Sequence, residues 1–225
     1  VERNLDLKAI AAQKMRILVD PVYGAGAGWI GRLLAGGNIV VDEMRSERNP
    51  WFGGVNPEPI RPHIDPVLAR MAGGGYDMGM LLDGDADRVI FSDASGTTVS
   101  GDRILALCAL ALKEEGKLSG NSMVCTVMSN LGLHEAMRKA SIGVVTTAVS
   151  DRHVIEALRK GGYSFGGENS GHLIFSDYAS TGDGILSALQ VLRFMRKKGA
   201  NLADLAAGMR EYPQALVNLK VKSRI

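Results

Sequence analysis

The sequence is poor in cysteine, in aromatic residues and in excess charge of either sign. Its 225 residues include two cysteines, and Phe, Trp and Tyr together make up 5%. Cys108 and Cys125 both lie in apolar segments, so we predict buried free thiols in a reducing cytoplasm rather than a disulfide scaffold. The formal net charge is +2 and the basic residues are dispersed, which predicts no general affinity for nucleic acid or for an anionic membrane.

Long apolar runs are also absent. No uncharged apolar stretch is long enough to cross a membrane, and no signal-peptide pattern is present, so we expect a cytoplasmic protein. The chain is 46% hydrophobic and 22% charged, as in ordinary globular proteins. Its length suffices for one large or two small domains.

Strand-like apolar runs alternate with segments of helical periodicity along the chain, which predicts an α/β fold. We predict strands at 15–19, 39–43, 78–82, 123–127, 144–149, 163–165 and 173–175. We predict helices at 5–14, 29–34, 64–71, 102–115, 129–139, 151–160, 183–198 and 202–209, with Asp102 and Ser129 among the capping residues. A boundary near residues 99–102 would divide the chain into two α/β domains.

Three aspartates at alternate positions follow the buried strand predicted at 78–82. We call residues 83–88, which hold Asp83, Asp85, Asp87 and Arg88, the aspartate loop. Carboxylates so close together repel each other, and a cation offsets that repulsion. Oxygen ligands suit a hard cation such as Mg²⁺, and the guanidinium of Arg88 suits a phosphate. The loop is therefore a candidate metal site, with a solvated turn as the plain alternative.

Two other interpretations of the acidic and glycine-rich segments are weaker. An EF-hand loop also begins Asp-x-Asp-x-Asp, but Arg88 stands where that loop needs glycine and Ala94 where it needs glutamate. The glycine cluster at 20–28 follows a predicted strand, yet its spacing departs from the dinucleotide-binding pattern. We therefore interpret the glycine cluster as a tight turn rather than a nucleotide site.

A second polar segment, residues 166–172, reads Gly-Gly-Glu-Asn-Ser-Gly-His and is called the glutamate loop below. The carboxylate of Glu168 can accept from two neighbouring sugar hydroxyls, and the hydroxyl of Ser170 can donate or accept. A glycine-rich hairpin with incidental polar residues explains the segment equally well. A single histidine beside a strand, such as His172, is more often structural than functional.

The two motifs together resemble those of the α-D-phosphohexomutases. Asp-Gly-Asp-Ala-Asp-Arg at 83–88 resembles the metal-binding loop of the second domain of that family, and the glutamate loop resembles the sugar-binding loop of the third domain. The resemblance implies two consecutive three-layer α/β/α domains with mixed sheets, at 1–99 and 100–212, followed by a linker from 213 to 225. It also implies a hexose phosphate as substrate. The site residues it implies are Asp83, Asp85 and Asp87 for Mg²⁺, and Arg88, Glu168, Ser170 and His172 for the substrate.

Family members move a phosphoryl group between O1 and O6 of a hexose through a phosphoserine and a bis-phosphorylated sugar. Their serine loop, Ser-His-Asn-Pro, and their phosphate-binding motif, an Arg followed by Ser-Gly-Thr, do not occur in the 225 residues. The resemblance therefore implies the middle half of a phosphohexomutase, whose N- and C-terminal domains are missing. We expect this chain alone to be inactive.

The two halves of the sequence differ in which sugar their resemblance implies. The third-domain segments look most like the phosphoglucosamine mutases, although Asn169 replaces their usual Gln and Ser150, before Asp151 and Arg152, replaces their usual Gly. Segments 48–54 and 56–59 look more like phosphoglucomutase/phosphomannomutase members. We favour glucosamine phosphate. A phosphatase of the haloacid dehalogenase type and a non-catalytic metal or sugar-phosphate binding module are the alternatives from other classes.

Overall fold

Two mixed β-sheets, one in each half of the chain, organise the fold. The structure is a computed structural model that describes residues 5–217; residues 1–4 and the end of the predicted linker, 218–225, lie outside the described residues. The first sheet contains β1 (Met15–Asp20), β2 (Ile39–Glu43), β3 (Met78–Leu82), β4 (Val89–Asp93) and β5 (Thr98–Val99), in the order β2-β1-β3-β4-β5. Strand β1 runs parallel to β2 and β3, whereas β4 is antiparallel to β3 and β5.

The second sheet repeats this plan with four strands. It contains β6 (Ser122–Thr126), β7 (Gly143–Thr147), β8 (Phe165–Gly167) and β9 (Leu173–Phe175), in the order β7-β6-β8-β9. Strands β7, β6 and β8 are parallel and β9 is antiparallel. The predicted α/β fold with mixed sheets is confirmed.

Eight α-helices surround the two sheets in the described residues. The first half carries α1 (Leu7–Ala11), α2 (Trp29–Leu33) and α3 (Asp65–Ala72). The second half carries α4 (Gly101–Glu114), α5 (Leu131–Lys139), α6 (Asp151–Gly161), α7 (Gly184–Lys198) and α8 (Leu202–Ala206). Within residues 5–217, no helix combines the length and the apolar character that crossing a bilayer requires.

Alternation along the central strands places each sheet between two hydrophobic layers. On β1, Ile17 and Val19 face the largest core, while Leu18 packs with α3 residues in a smaller cluster. On β6, Met123 and Cys125 face the same large core, while Val124 packs with α6 residues. The large core is thus shared by both halves, because each sheet turns one face towards it.

Helix α7 lies where the two sheets meet. It contacts β4 of the first sheet and β9 of the second, and it also packs against α1 and α4. Eleven of its residues are buried. A helix that covers a core with one face buries fewer, so α7 is covered on more than one face. The side chain of Asp183 caps its N-terminus by accepting from the N–H of Leu186 at 2.8 Å.

Two predicted caps are wrong. Helix α4 is capped by Ser100, whose hydroxyl accepts from the N–H of Arg103 at 3.4 Å, and Asp102 lies inside its first turn. Helix α5 is capped by Asn130 rather than Ser129. In both cases a second polar residue lies close to the predicted cap, and tertiary contacts decide which of the two serves the helix.

Candidate functional site

The two predicted loops lie at the carboxyl ends of central strands, one in each sheet. The aspartate loop follows β3, and the glutamate loop begins in β8 and returns through β9. The segment before α6 follows β7 and lies at the same edge of the second sheet. Carboxyl edges of parallel strands are the usual positions of ligand sites in α/β folds.

The three carboxylates of the aspartate loop converge. One oxygen from each of Asp83, Asp85 and Asp87 lies within 4.8 Å of the other two. The Oδ1 atom of Asp83 accepts from the N–H of Arg88 at 3.1 Å, so the loop closes on itself. Ala86 has a φ of 64°, which turns the chain between the second and third aspartates. The arrangement offers several oxygen ligands to one hard cation.

Burial of the Asp83 carboxylate in the aspartate loop destabilises its ionised form unless a cation is bound. Asp83 is 6% exposed, and burial raises its pKa to about 7, with further increases from Asp87 and Asp85 and an opposing effect of the Arg88 N–H. The Nε atom of Arg88 lies 3.8 Å from Asp83 and 3.7 Å from Asp87, too far for short ion pairs. A divalent cation would supply the missing positive charge, so the residues present fit the metal that the resemblance implies.

The backbone of the aspartate loop is held from the side of the first sheet. The carbonyl of Gly84 accepts from the N–H of Ala25 at 2.9 Å, and the N–H of Gly84 donates to the carbonyl of Pro57 at 2.9 Å. The glycine cluster at 20–28 therefore supports the metal-candidate loop. This contact is consistent with its interpretation as a tight turn.

The glutamate loop is a tight hairpin turn between β8 and β9. The N–H of Glu168 donates to the carbonyl of His172 at 2.9 Å, and the N–H of Gly171 donates to the carbonyl of Glu168 at 3.1 Å. Glu168 is 8% exposed and His172 is 1% exposed. The predicted strand at 163–165 is observed two residues later, so Gly166 and Gly167 belong to β8.

The aspartate and glutamate loops are bonded directly to each other. The Nδ1 atom of His172 lies 3.3 Å from Oδ2 of Asp87. The N–H of Val89 donates to the carbonyl of Gly171 at 3.1 Å, and the N–H of Gly184 donates to the carbonyl of Ala86 at 2.9 Å. The structure thus brings all the predicted site residues to one region between the sheets.

Two buried polar atoms of the glutamate loop have no hydrogen-bond partner among the described residues. They are Oγ of Ser170 and Nε2 of His172. A buried polar atom without a partner destabilises a protein by about 1–3 kcal/mol, so a polar ligand would relieve this cost. A Cβ on Gly182 would collide with the imidazole of His172, so this position has to be glycine for the ring to lie where it does.

The segment before α6 contributes through its backbone. The N–H of Ser150 donates to Oε1 of Glu168 at 3.1 Å. Asp151 is exposed, and the N–H of Arg152 lowers its pKa. The guanidinium of Arg152 pairs with Glu156 on the same helix, with Nε 2.9 Å from Oε1. Ser150 therefore contacts the predicted site through its backbone, and the charges of His172 and Arg88 also contribute to the lowered pKa of Asp151.

Sequence reasoning missed two supports of the site. Asp20 is 1% exposed and forms an ion pair with Arg45, which fixes the start of the glycine cluster. The side chain of Asn169 donates to the carbonyl of Met128 at 3.3 Å, which ties the glutamate loop to the turn after β6. Both contacts join residues far apart in sequence, and no local pattern indicates them.

Comparison with known proteins adds evidence from sequence and from fold. The family description "Phosphoglucomutase/phosphomannomutase, alpha/beta/alpha domain III" matches residues 100–212, and the corresponding domain II description matches residues 1–96. The phosphoglucosamine mutase of Frankia alni is 44% identical over 211 residues, covering 94% of this chain and 46% of that protein. That of Syntrophotalea carbinolica is 55% identical over 150 residues, covering 67% and 33%.

Solved structures of named phosphosugar mutases share the fold of this chain. A protein of Thermus thermophilus named as a phosphomannomutase superposes with a TM-score of 0.84 at 30% identity, covering 92% of this chain and 47% of that one. The N-acetylphosphoglucosamine mutase of Aspergillus fumigatus, solved with GlcNAc-6P and magnesium, shares the fold with a TM-score of 0.74 at 20% identity, covering 97% and 54%.

These matches leave the phosphatase alternative without support. The chain spans about half the length of the curated relatives that it matches. Its two halves match consecutive domains of one family in the order in which that family carries them. The chain belongs to the phosphoglucomutase/phosphomannomutase family.

Proposed function

We propose that this chain supplies the metal-binding and sugar-binding half of a phosphohexomutase that interconverts hexose 6-phosphate and hexose 1-phosphate. The observation that carries the proposal is the 3.3 Å contact between His172 and Asp87, which joins the two predicted loops in one site. Phosphoryl transfer depends mainly on positioning and charge neutralisation, and a site with carboxylates, a guanidinium and free polar atoms suits that task.

Asp83, Asp85 and Asp87 would hold Mg²⁺, which, when bound, offsets negative charge on a phosphoryl oxygen. Arg88 would contact a phosphate or hold the aspartate loop in place. Glu168 and Ser170 would bind sugar hydroxyls, and the free Nε2 of His172 would contact a hydroxyl or phosphate oxygen. The convergence of the three carboxylates and the raised pKa of Asp83 support the metal assignment.

We propose residues 1–99 and 100–212 as the two domains and residues 213–225 as a linker. The phosphoserine and the phosphate anchor would come from further domains of the same protein, because neither motif occurs in this sequence. A cytoplasmic location is part of the proposal, and the two buried free cysteines accord with a reducing compartment.

Glucosamine phosphate is the proposed substrate, supported by the relatives named phosphoglucosamine mutase at 44–55% identity. Glucose or mannose phosphate is the second candidate. Segments 48–54 and 56–59 favour this second candidate, because they look more like phosphoglucomutase/phosphomannomutase members.

Binding to the chain itself tests the site. Mn²⁺, a paramagnetic substitute for Mg²⁺, should broaden the amide NMR signals of residues 83–88, and Asp85→Asn should weaken this effect at least tenfold. The exposed Asp177→Asn provides the matched control. Glucosamine 6-phosphate should shift the amide signals of residues 168–172. Broadening that is equal in wild type and Asp85→Asn would contradict the metal site.

A chimera tests the activity and the sugar preference. Residues 1–212 would replace the matching half of the Frankia alni phosphoglucosamine mutase, and phosphorus NMR would follow glucosamine, glucose and mannose 6-phosphates with Mg²⁺ and a trace of bis-phosphorylated sugar. Fast conversion of the amino sugar is expected from the chimera, and no conversion from the chain alone. Turnover by the pure chain alone would contradict the proposal that the phosphoserine and the phosphate anchor come from other domains.

A further inference from the structure

Ser150 has a backbone conformation that is rare for any residue except glycine. Its φ is 147° and its ψ is 138°. Such a conformation persists only where the surrounding structure fixes it, and it often lies at a functional site. Two sets of hydrogen bonds fix it here, one from its N–H and one to its carbonyl.

The two sets of hydrogen bonds connect α6 to the glutamate loop. The carbonyl of Ser150 accepts from the N–H groups of His153 at 3.0 Å and Val154 at 3.3 Å, so Ser150 begins α6. Its N–H donates in the other direction, to Oε1 of Glu168 at 3.1 Å. The unusual φ lets one residue begin the helix and still turn its N–H towards the carboxylate.

The contact acts on a side chain that has little other support. Glu168 is 8% exposed, and the Ser150 N–H is the only hydrogen-bond donor to its carboxylate among residues 5–217. No lysine or arginine forms an ion pair with Glu168 within that range. The carboxylate also lies at the N-terminus of an eleven-residue helix, where negative charge is favoured.

We propose that the backbone N–H of Ser150 is a positioning group for sugar recognition. It holds Oε1 of Glu168 in one orientation and leaves Oε2 free to accept from a hydroxyl of the hexose phosphate. The inference rests on the proposed function, because it assigns Glu168 to the sugar. A neutral donor fixed by a helix orients the carboxylate without neutralising it, so its capacity to accept from hydroxyls is retained.

Replacement of the Ser150 amide by an ester removes the N–H and leaves the side chain unchanged. Carbon-13 relaxation of the Glu168 γ-methylene measures the order of that side chain in the free protein. We expect the order to fall in the ester variant, and the affinity for glucosamine 6-phosphate to fall about tenfold, because a hydrogen bond to a charged group is lost. An ester at Val149, an exposed residue whose N–H donates to no described residue, is the matched control and should change neither quantity.

The two readouts separate this inference from the function on which it rests. Unchanged order of the Glu168 side chain in the Ser150 ester would overturn the positioning role, whatever the affinity. Reduced order with unchanged affinity would overturn the link to sugar recognition. The wild-type chain could also fail to bind hexose phosphate while the Ser150 ester still lowers the order of the Glu168 side chain. That result would contradict the proposed function and the link to sugar recognition, but not the structural contact.

Discussion

At the scale of single residues, two polar positions show how the fold constrains side chains that the sequence presents as ordinary. Ser150 lies in a glycine-favouring conformation at the edge of the site, and Asp102 is a carboxylate that is 4% exposed in the first turn of α4. Each contacts a residue that is distant in the sequence, Glu168 for the first and Asn130 for the second.

Ser150→Gly should stabilise the chain. Glycine adopts positive φ without steric strain, and strain of this kind is worth about 1–3 kcal/mol, while the extra flexibility of unfolded glycine offsets about 0.5–1 kcal/mol. We expect the free energy of unfolding in urea to rise by about 1 kcal/mol. Ser180→Gly, at an exposed position without positive φ, should lower it instead. Equal losses in both variants would show that Ser150 is not strained.

The stability of the Asp102→Asn variant relative to wild type should increase as pH rises. Burial raises the pKa of Asp102 above its ordinary value of 3.8, and the N–H of Asn130 opposes this effect. The folded state therefore holds the proton more tightly, so this contribution to stability is present below about pH 4 and is lost as pH rises through the raised pKa. Asparagine retains an acceptor for the Asn130 N–H and carries no charge.

Urea unfolding at pH 4.5 and at pH 7.5 measures this effect. The stability of Asp102→Asn relative to wild type should increase between the two values, whereas the exposed Asp177→Asn should show no such change. A relative stability that is constant or that falls with pH would mean that Asp102 stays ionised in the folded chain without cost.

At the scale of elements, the N-terminus of α5 joins three parts of the second half of the chain. The Oδ1 atom of Asn130 accepts from the N–H groups of Gly132 at 2.9 Å and Tyr212 at 3.0 Å, and its Nδ2 donates to the carbonyl of Tyr212 at 2.8 Å. Its own N–H donates to Oδ2 of Asp102 at 2.9 Å. The cap of one helix thus also holds α4 and the segment after α8.

Asn130→Ala should therefore lower the free energy of unfolding more than the loss of an ordinary helix cap does. Asn201 caps α8 with a single bond from the N–H of Asp204 at 2.8 Å and provides the matched comparison. We expect Asn201→Ala to lower the free energy of unfolding by about 1 kcal/mol and Asn130→Ala by about 2–3 kcal/mol. Amide hydrogen exchange at Tyr212 should accelerate in Asn130→Ala alone. Equal costs with unchanged exchange would show that the contacts to Tyr212 add nothing.

The elements themselves could largely be predicted from the sequence, because the spacing of apolar residues along a strand or helix is a local property. The strand bounds at Ile39–Glu43 agree residue for residue, and α7 ends at Lys198 as predicted. The caps of α4 and α5 could not be predicted, because the choice between nearby polar residues depends on Asn130 and Asp102, which are 28 positions apart. Likewise the aspartates of the site follow one another in sequence, whereas the contact from Ser150 to Glu168 exists only in the fold.

At the scale of the whole molecule, both sheets share one hydrophobic core. Buried residues of β1, β3, β6 and β8 belong to the same cluster, and α7 contacts a strand of each sheet. A core that is continuous across two sheets couples their stability, since neither can open without exposing the apolar face of the other. The boundary proposed near residue 99 is therefore a boundary in sequence rather than a gap in packing.

The chain should unfold in one step. Methyl signals of Met78 and Met80 report on the first half and those of Met123 and Met137 on the second, because all four side chains are buried. Leu189→Ala, at a buried position of α7, should move both transitions to lower urea together, at a cost of about 2–5 kcal/mol. The exposed Leu131→Ala should leave both nearly unchanged. Separate transitions for the two probes would mean that the halves are independent units.

The backbone bonds from Val89 to Gly171 and from Gly184 to Ala86 limit how the site can be altered. The first bond joins β4 to the glutamate loop and the second joins the aspartate loop to the start of α7, so these segments cannot move apart without breaking backbone hydrogen bonds. The same bonds guide engineering. A glutamate loop transplanted from a relative would leave the geometry of the aspartates intact as long as the backbone contact between residues 89 and 171 is kept.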